Sequence, residues 1–430
     1  MNNYKMVNRE MTKSQFPLDV KNKKVLVAMS GGVDSSVAAA VLKRQGAQPI
    51  GIFLKFWSPN SANSKQKSKN NLENKCCSYE AAEQARRVAN KLKIPFYVLN
   101  FRQQFKKTVV DYFISEYRNG RTPNPCVKCN QMIKFGLLFK KAKELGTDFL
   151  ATGHYARIAP VISKEKIQNS FHSAVKRCAL YSFPADSAGS SCAYDPLFTA
   201  VLASFPTTNK NTQLALFEAK DKQKDQSYFL WTLKPEQLKH IIFPIGDYSK
   251  EQVRKMAKNW GLPTALRPDS QEICFVLGTV TEFLADYLKP KTGKIINQQG
   301  KILGKHNGAI FYTIGQRQNL NIKPASPIWK PYYVIETDTK KNLVIVGREK
   351  DLYSKELVVK EVNWIDEKFK NQNSKCLARI RYGHPNQNAK IKMQKSKLLV
   401  EFEKSQRAIT PGQSIVFYQG EEVLGGGVIE

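Results

Sequence analysis

A chain of 430 residues exceeds one ordinary domain and fits two or three. Its 42% hydrophobic and 10% aromatic content can fill sizeable cores, yet no uninterrupted apolar run approaches the roughly 20 residues of a membrane span, which excludes an integral membrane protein. Subtracting 36 acidic from 68 basic residues leaves +32, an excess that points to nucleic acid or a membrane surface as partner, unless it records only lysine and asparagine drift in a biased genome. The first residues, MNNYKMVNREMTKSQF, lack the apolar core of a secretory signal, so a cytoplasmic protein is expected.

The run KKVLVAMS (Lys23 to Ser30), two glycines and then the alanine-rich SSVAAAVLKRQG, stopped at Gly46, read as strand, tight loop and helix. A second strand restarts at Pro49, Ser78 caps a helix through EAAEQARRVANKL, and FYVLN from Phe96 is a third strand. Helices follow from about Gln103 to Tyr117 and from about Gln131 to Leu145, on either side of the loop RTPNPCVKCN, before the strand DFLAT. This alternation predicts an α/β domain, a parallel sheet covered by helices on both faces. From about Gln298 short alternating runs such as AIFYTIG, YYVIETD, NLVIVG and SIVFYQG, separated by turn residues, predict a small β-barrel.

Two segments read as insertions, a Ser-, Asn- and Lys-rich one at about 59–75 and a longer one at about 162–218 without a sustained period. The expected division is an α/β unit over 21–278, a small central domain over 279–332 and the β-barrel over 333–430.

Three segments carry chemistry. SGGVDS, Ser30 to Ser35, sits where a strand ends and a helix begins, so its glycines allow close backbone approach and the helix-start N–H groups can hold a pyrophosphate. It matches neither the Walker A nor the dinucleotide pattern. TPNPCVKCN, Thr122 to Asn130, places two thiols three residues apart just before the predicted helix, where a helix N-terminus favours the thiolate. No second C-x-x-C is present to complete a structural zinc site, and the order of elements does not suggest a thioredoxin-like dithiol. In RPDSQEICFV, Arg267 to Val276, Cys274 alone reads as a buried small hydrophobe; beside the other two motifs it becomes a candidate sulfur carrier.

The SGGVDS loop resembles the pyrophosphate (PP-loop) motif of the ATP-pyrophosphatases. Together with ATGHYARI, KDQSYFLWTL, FYTIGQR, RAITPGQSIVFY and the final LGGGVI, the three segments resemble the tRNA-specific 2-thiouridylases from about Val25 to the C-terminus, outside the two insertions. The resemblance implies a PP-loop domain, a small central domain and a tRNA-binding C-terminal barrel, acting on the wobble uridine of tRNAs that read Glu, Gln and Lys codons. ATP with magnesium would adenylate the uridine, and sulfur would then reach its carbon 2. The implied ATP site is Ala28, Met29, Ser30, Gly31, Gly32, Val33, Asp34 and Ser35, with Leu54 and Gly153 around the nucleotide and Asp34 helping to place magnesium. Cys274 would carry a persulfide delivered by a carrier protein, and Cys129 would be the nucleophile that resolves it or frees sulfide. The tRNA and its flipped base would meet Asn124, Pro125, Cys126, His154, Lys224, Asp225, Gln226, Arg381, Tyr382 and Gln413. A monomer is implied.

The chain departs from many family members in carrying Cys126 where they carry Asp. Three thiols, Cys126, Cys129 and Cys274, leave open a 4Fe-4S cluster whose free iron binds sulfide, beside the persulfide route in which Cys126 only lines the base pocket. On composition alone Lys224 and Arg381 are ordinary surface charge, and a His at a strand end is more often a fixed hydrogen-bonding residue than a general base. Other ATP-pyrophosphatases, such as an amide-forming ligase or a lysidine synthetase, share the SGGVDS logic but do not need Cys129 and Cys274.

Overall fold

The computed structural model describes residues 19–58, 78–161, 213–268, 273–322, 330–370, 373–394 and 397–430. The first expected insertion, most of the second, and Cys76, Cys77, Cys178 and Cys192 lie outside the described residues.

Consecutive valines and leucine bury β1 (Lys24–Ala28) on both faces, as the centre of a parallel sheet requires. It is followed by β2 (Gln48–Lys55), β3 (Phe96–Asn100) and β4 (Phe149–Thr152), then by a hairpin of β5 (Arg157–Pro160) and β6 (Leu214–Phe217), and by β7 (Ile241–Ile242). The order β3-β2-β1-β4-β7 is parallel throughout. Helix α1 (Val33–Arg44) packs on the sheet through Ala39 and Leu42, and its Ala38 and Ala40 pack in a separate cluster with Val253 and Met256. The Ser78 side chain starts α2 (Tyr79–Leu92) by accepting from Ala81 N at 3.0 Å. The chain leaves β1 to opposite sides, toward β2 and toward β4. That switch opens a crevice at the carboxyl ends of the two central strands, the usual ligand position in such sheets.

A second sheet contains β8 (Gly293–Asn297), β9 (Ile302–His306), β10 (Tyr333–Asp338) and β11 (Leu343–Gly347), around a core of Ile295, Val334, Val344 and Val346. Residues 333–347, expected to open the C-terminal barrel, thus belong to the central sheet. Leu343 to Val346 pair in parallel with Lys294 to Asn297, a long-range pairing that strand alternation cannot announce.

The barrel comprises β12 (Tyr353–Trp364), β13 (Ser374–Arg379), β14 (Gln387–Gln394), β15 (Lys397–Arg407), β16 (Ser414–Gln419) and β17 (Glu422–Ile429), in the order β12-β15-β14-β13-β16-β17. Pairing of β12 with β17 closes it. Through Leu216 opposite Val423, β6 adds to β17. The last residues of the expected 162–218 insertion therefore join the α/β unit to the barrel. Arg379 of the barrel reinforces this joint, reaching the buried carboxylates of Glu218 and Asp225.

Candidate active site

At the end of β1 the backbone is held tightly, with Met29 N donating to Ile52 O at 2.8 Å, and then turns through Gly31 at φ +75°. A Cβ on Gly31 would lie 2.2 Å from Ala81 O of α2. Across the loop, a Cβ on Gly153, just past β4, would lie 2.7 Å from Ser35 N. Both glycines are thus imposed by close backbone approach. Ser35 Oγ accepts from Ser30 N at 3.1 Å and donates to Gly32 O at 3.2 Å, while Ser36 Oγ donates to the same carbonyl at 2.8 Å. No side chain caps α1, so its first N–H groups are left for an anion. Leu54 lies near the end of β2, buried in the apolar core beneath this end of the sheet.

Three further side chains converge on the loop. Lys250 Nζ donates to both Asp34 oxygens at 2.7 and 2.9 Å, Tyr155 OH donates to Asp34 Oδ1 at 2.9 Å, and Arg267 Nη1 donates to Gly31 O at 2.9 Å. Two cations, Lys250 and Arg267, therefore stand at the mouth of the candidate phosphate cradle. Asp34 is a carboxylate beside that cradle, with the oxygen chemistry magnesium accepts.

The thiol loop differs from expectation in where its helix starts. Asn124 caps it by accepting from Val127 N at 3.3 Å, Pro125 takes the first helical position, and helix Pro125–Cys129 runs on through π-helical Asn130–Leu138 into Phe139–Glu144. Both thiols lie inside the helix rather than before it. The helix-start N–H groups therefore act on exposed Cys126, in the first turn, whereas Cys129 is buried one turn deeper. Cys129 belongs to the apolar core that contains Phe275, and partly buried Cys274 packs against that core. Among the described residues no three His, Cys, Asp or Glu side chains are arranged to hold a metal ion. Cys126, Cys129 and Cys274 as placed form no such group. Cys376 lies apart in the barrel, its thiol pushed up to about 12 by burial.

The loop that leads into the thiol helix is gripped from two further domains. Thr122 N donates to Pro411 O at 2.9 Å, Gln413 Nε2 donates to Thr122 O at 2.9 Å, and the Thr122 and Thr313 hydroxyls lie 3.2 Å apart. Exposed Tyr382 of the barrel packs on Phe229 with ring centroids 4.5 Å apart, and Phe229 O accepts from Asn130 Nδ2 at 3.0 Å. Arg381 donates to Ala408 O at 3.0 Å.

Within the KDQ motif the three residues face different ways. Asp225 is buried, accepting from Ala219 N at 2.9 Å and from Ser227 Oγ at 2.8 Å, and burial raises its pKa. Gln226 Oε1 accepts from Tyr155 N at 3.0 Å, while half-buried Lys224 follows a turn closed on Asp221. His154 is 8% exposed, with Thr152 Oγ1 at 2.7 Å from Nδ1 and Lys134 Nζ at 3.3 Å from Nε2.

Residues 23–180 and 181–278 match the family model described as the tRNA methyl transferase HUP domain, 281–348 the PRC-barrel domain model, and 354–429 the aminomethyltransferase beta-barrel model. The chain is 41% identical over 416 residues to a tRNA-specific 2-thiouridylase of Clostridioides difficile (strain 630), covering 95% of this chain and 98% of that one. It is 42% identical over 416 residues to the counterpart in Acetivibrio thermocellus, covering 96% and 100%. The chain belongs to the tRNA-specific 2-thiouridylase family. A solved U34-tRNA thiolase of Methanococcus maripaludis with its 4Fe-4S cluster is similar at 16% identity over 65% of this chain and 68% of that one, with a TM-score of 0.30, too distant to bear on a cluster here.

Within this 2-thiouridylase fold, sequence reading missed Lys250, Tyr155, Arg267 and Lys134. Tyr155 and Arg267 lie within the ATGHYARI and RPDSQEICFV segments, but Lys250 and Lys134 are single lysines among 68 basic residues, and only tertiary contacts distinguish them. No helix among the described residues is long and apolar enough to cross a membrane.

Proposed function

We propose that this 2-thiouridylase adenylates the wobble uridine of tRNAs reading Glu, Gln and Lys codons and replaces its carbon 2 oxygen by sulfur. The observation that carries the reading is the meeting of two motifs in one crevice. Gly153 lies against the start of α1, its neighbour His154 is tied to Lys134, and Lys134 follows Cys129 by about one helical turn.

MgATP is a substrate here. Its phosphates would lie over Ser30 to Ser35, with the α1 N–H groups, Lys250 and Arg267 as donors and Asp34 as the carboxylate beside magnesium. The uridine O2 attacks the α-phosphorus, the N3 proton is lost, and the bond to the β-phosphate oxygen breaks to release pyrophosphate. This converts a poor leaving oxygen into AMP. A carrier protein loads Cys274 with a persulfide, whose terminal sulfur attacks carbon 2 as AMP departs. The Cys129 thiolate then attacks Cys274 Sγ, releasing 2-thiouridine and leaving a Cys129–Cys274 disulfide that an external dithiol reduces. Cys126 lines the pocket of the flipped base beside Asn124. The +32 charge and the barrel face around Arg381 and Tyr382 supply the RNA surface.

The test is anaerobic purification with iron and acid-labile sulfide analysis, together with thiolation of an unmodified tRNA using ATP and a persulfide donor. Iron-free protein is expected to thiolate. Activity that tracks iron content would overturn the persulfide roles, and absence of tRNA-dependent pyrophosphate release would overturn the adenylation reading.

A further inference from the structure

Lys134 stands between the two halves of the crevice, and among the described residues no carboxylate pairs with it. Its ammonium can only donate, so at 3.3 Å His154 Nε2 must be the acceptor, and Nδ1–H then donates to Thr152 Oγ1 at 2.7 Å. The imidazole is wedged against Phe135 and Phe243, each with ring centroids 6.0 Å away. Burial, then the Lys134 charge, hold its pKa well below the usual histidine value, so the ring is neutral and free to accept. With both nitrogens engaged, His154 acts on Lys134 and presents nothing further of its own.

The backbone fixes where that ammonium is held. Thr152 lies level with Ala28 at the end of β1, and Gly153 packs on Ser35 N at the start of α1. His154 is the next residue, on a chain wedged between the phosphate loop and the helix that carries Cys126 and Cys129. Lys250 and Arg267 already serve the phosphate-loop side. Lys134 approaches from the thiol side, where the α-phosphate must meet the uridine. A half-buried cation with no counter-charge among the described residues is costly until an anion arrives.

We propose that Lys134 is a catalytic cation that contacts the α-phosphate, stabilising it first as pyrophosphate leaves and again as AMP leaves, with His154 as its positioning residue. The proposal rests on the adenylation reading above, and its test separates the two.

Binding of AMP and of adenosine is measured by calorimetry for the parent, Lys134→Gln and Lys134→Arg, with tRNA-dependent pyrophosphate release and tRNA affinity at two salt concentrations alongside. Adenosine lacks the phosphate, so Lys134→Gln is expected to weaken AMP about 10- to 100-fold while leaving adenosine unchanged. Pyrophosphate release should fall about 10²- to 10³-fold, with partial recovery in Lys134→Arg. His154→Gln, whose amide oxygen can still accept from Lys134, should retain more AMP affinity than His154→Leu.

Equal effects on AMP and adenosine would overturn the proposal. So would unchanged AMP binding with weaker tRNA binding and a shallower salt slope, which would make Lys134 a contact to the RNA backbone. If Lys134→Gln fails to fold, Lys134→Arg, which moves the charge, is read by the same ligand pair: a selective change in AMP affinity supports the proposal and none overturns it. A parent that binds AMP but releases no pyrophosphate with tRNA refutes the functional reading and leaves the ligand comparison intact.

Discussion

Substituting Gly153 by alanine tests the nucleotide cradle directly. The new Cβ would lie 2.7 Å from Ser35 N, 2.9 Å from Asp34 C and 2.9 Å from Ser35 Cα, against the 3.4 Å at which ordinary contact begins. All three are backbone atoms, so no side chain can swing aside, and the start of α1 must retreat from β4 by roughly 0.5 to 1 Å. Gly31 blocks easy retreat, because the gap between it and Ala81 O of α2 is too small even for a Cβ. The strain should cost about 1–3 kcal/mol of stability. The displaced N–H groups, and Asp34 with its Lys250 partner, should lower tRNA-dependent pyrophosphate release about 10²-fold, the usual cost of a 1 Å misplacement. Urea unfolding, calorimetric ATP affinity and pyrophosphate release measure the three effects. ATP affinity and release within twofold of the parent, with unchanged stability, would refute the assignment of Gly153 to the cradle.

Cys129→Ser and Cys274→Ser should each abolish thiolation while leaving tRNA-dependent pyrophosphate release within about threefold, since neither thiol acts before the adenylate forms; loss of release would place them in the first step instead. Cys376→Ser should leave thiolation unchanged in the same assay, because burial keeps that thiol protonated. Arg379→Met leaves Glu218 and Asp225 buried without their shared cation, and urea denaturation should show a loss of about 3–5 kcal/mol; under 1 kcal/mol would mean that the joint between β6 and the barrel is not held by these charges. His154 has its folded pKa depressed below an unfolded value of about 6.5, so the unfolded chain takes up a proton that the native ring refuses, and native stability should fall as pH drops below about 6.5. His154→Gln should flatten that slope in urea melts between about pH 7 and 5, and an identical slope would place the titration elsewhere.

The strand–loop–helix around SGGVDS was legible because its signals are local: an apolar run, two glycines and an alanine-rich helix. The Ser78 cap was legible for the same reason. The start of the thiol helix was less so. Asn124 followed by Pro125 is a cap and a first helical position, but the same residues also read as a stiff loop, and only the Oδ1 contact to Val127 N decides between them. The central sheet was misassigned because its parallel pairing joins residues near 295 to residues near 345. Nothing in the alternation of NLVIVG says which partner it takes. Lys250 and Lys134 were invisible for a statistical reason: in a chain this basic, one more lysine carries no information until its neighbours are known.

Those neighbours also bear on the order of events. Thr122, two residues before the Asn124 cap, is bonded to Pro411 and Gln413 of the barrel and lies against Thr313 of the central domain. The position of the first helical turn, and so of Cys126, is therefore set by all three domains together. If RNA engages Arg381 and Tyr382 as proposed, a shift of the barrel would act on Thr122 as well, because Gly412 leaves no slack: a Cβ there would lie 3.0 Å from Thr122 N and O. Phe229, packed under Tyr382 and bonded to Asn130, ties the same barrel face to the π-helical segment that carries Lys134. The barrel proposed to receive the tRNA is thereby linked mechanically to both the thiols and the cation assigned to the α-phosphate, which would give pyrophosphate release a structural reason to depend on tRNA.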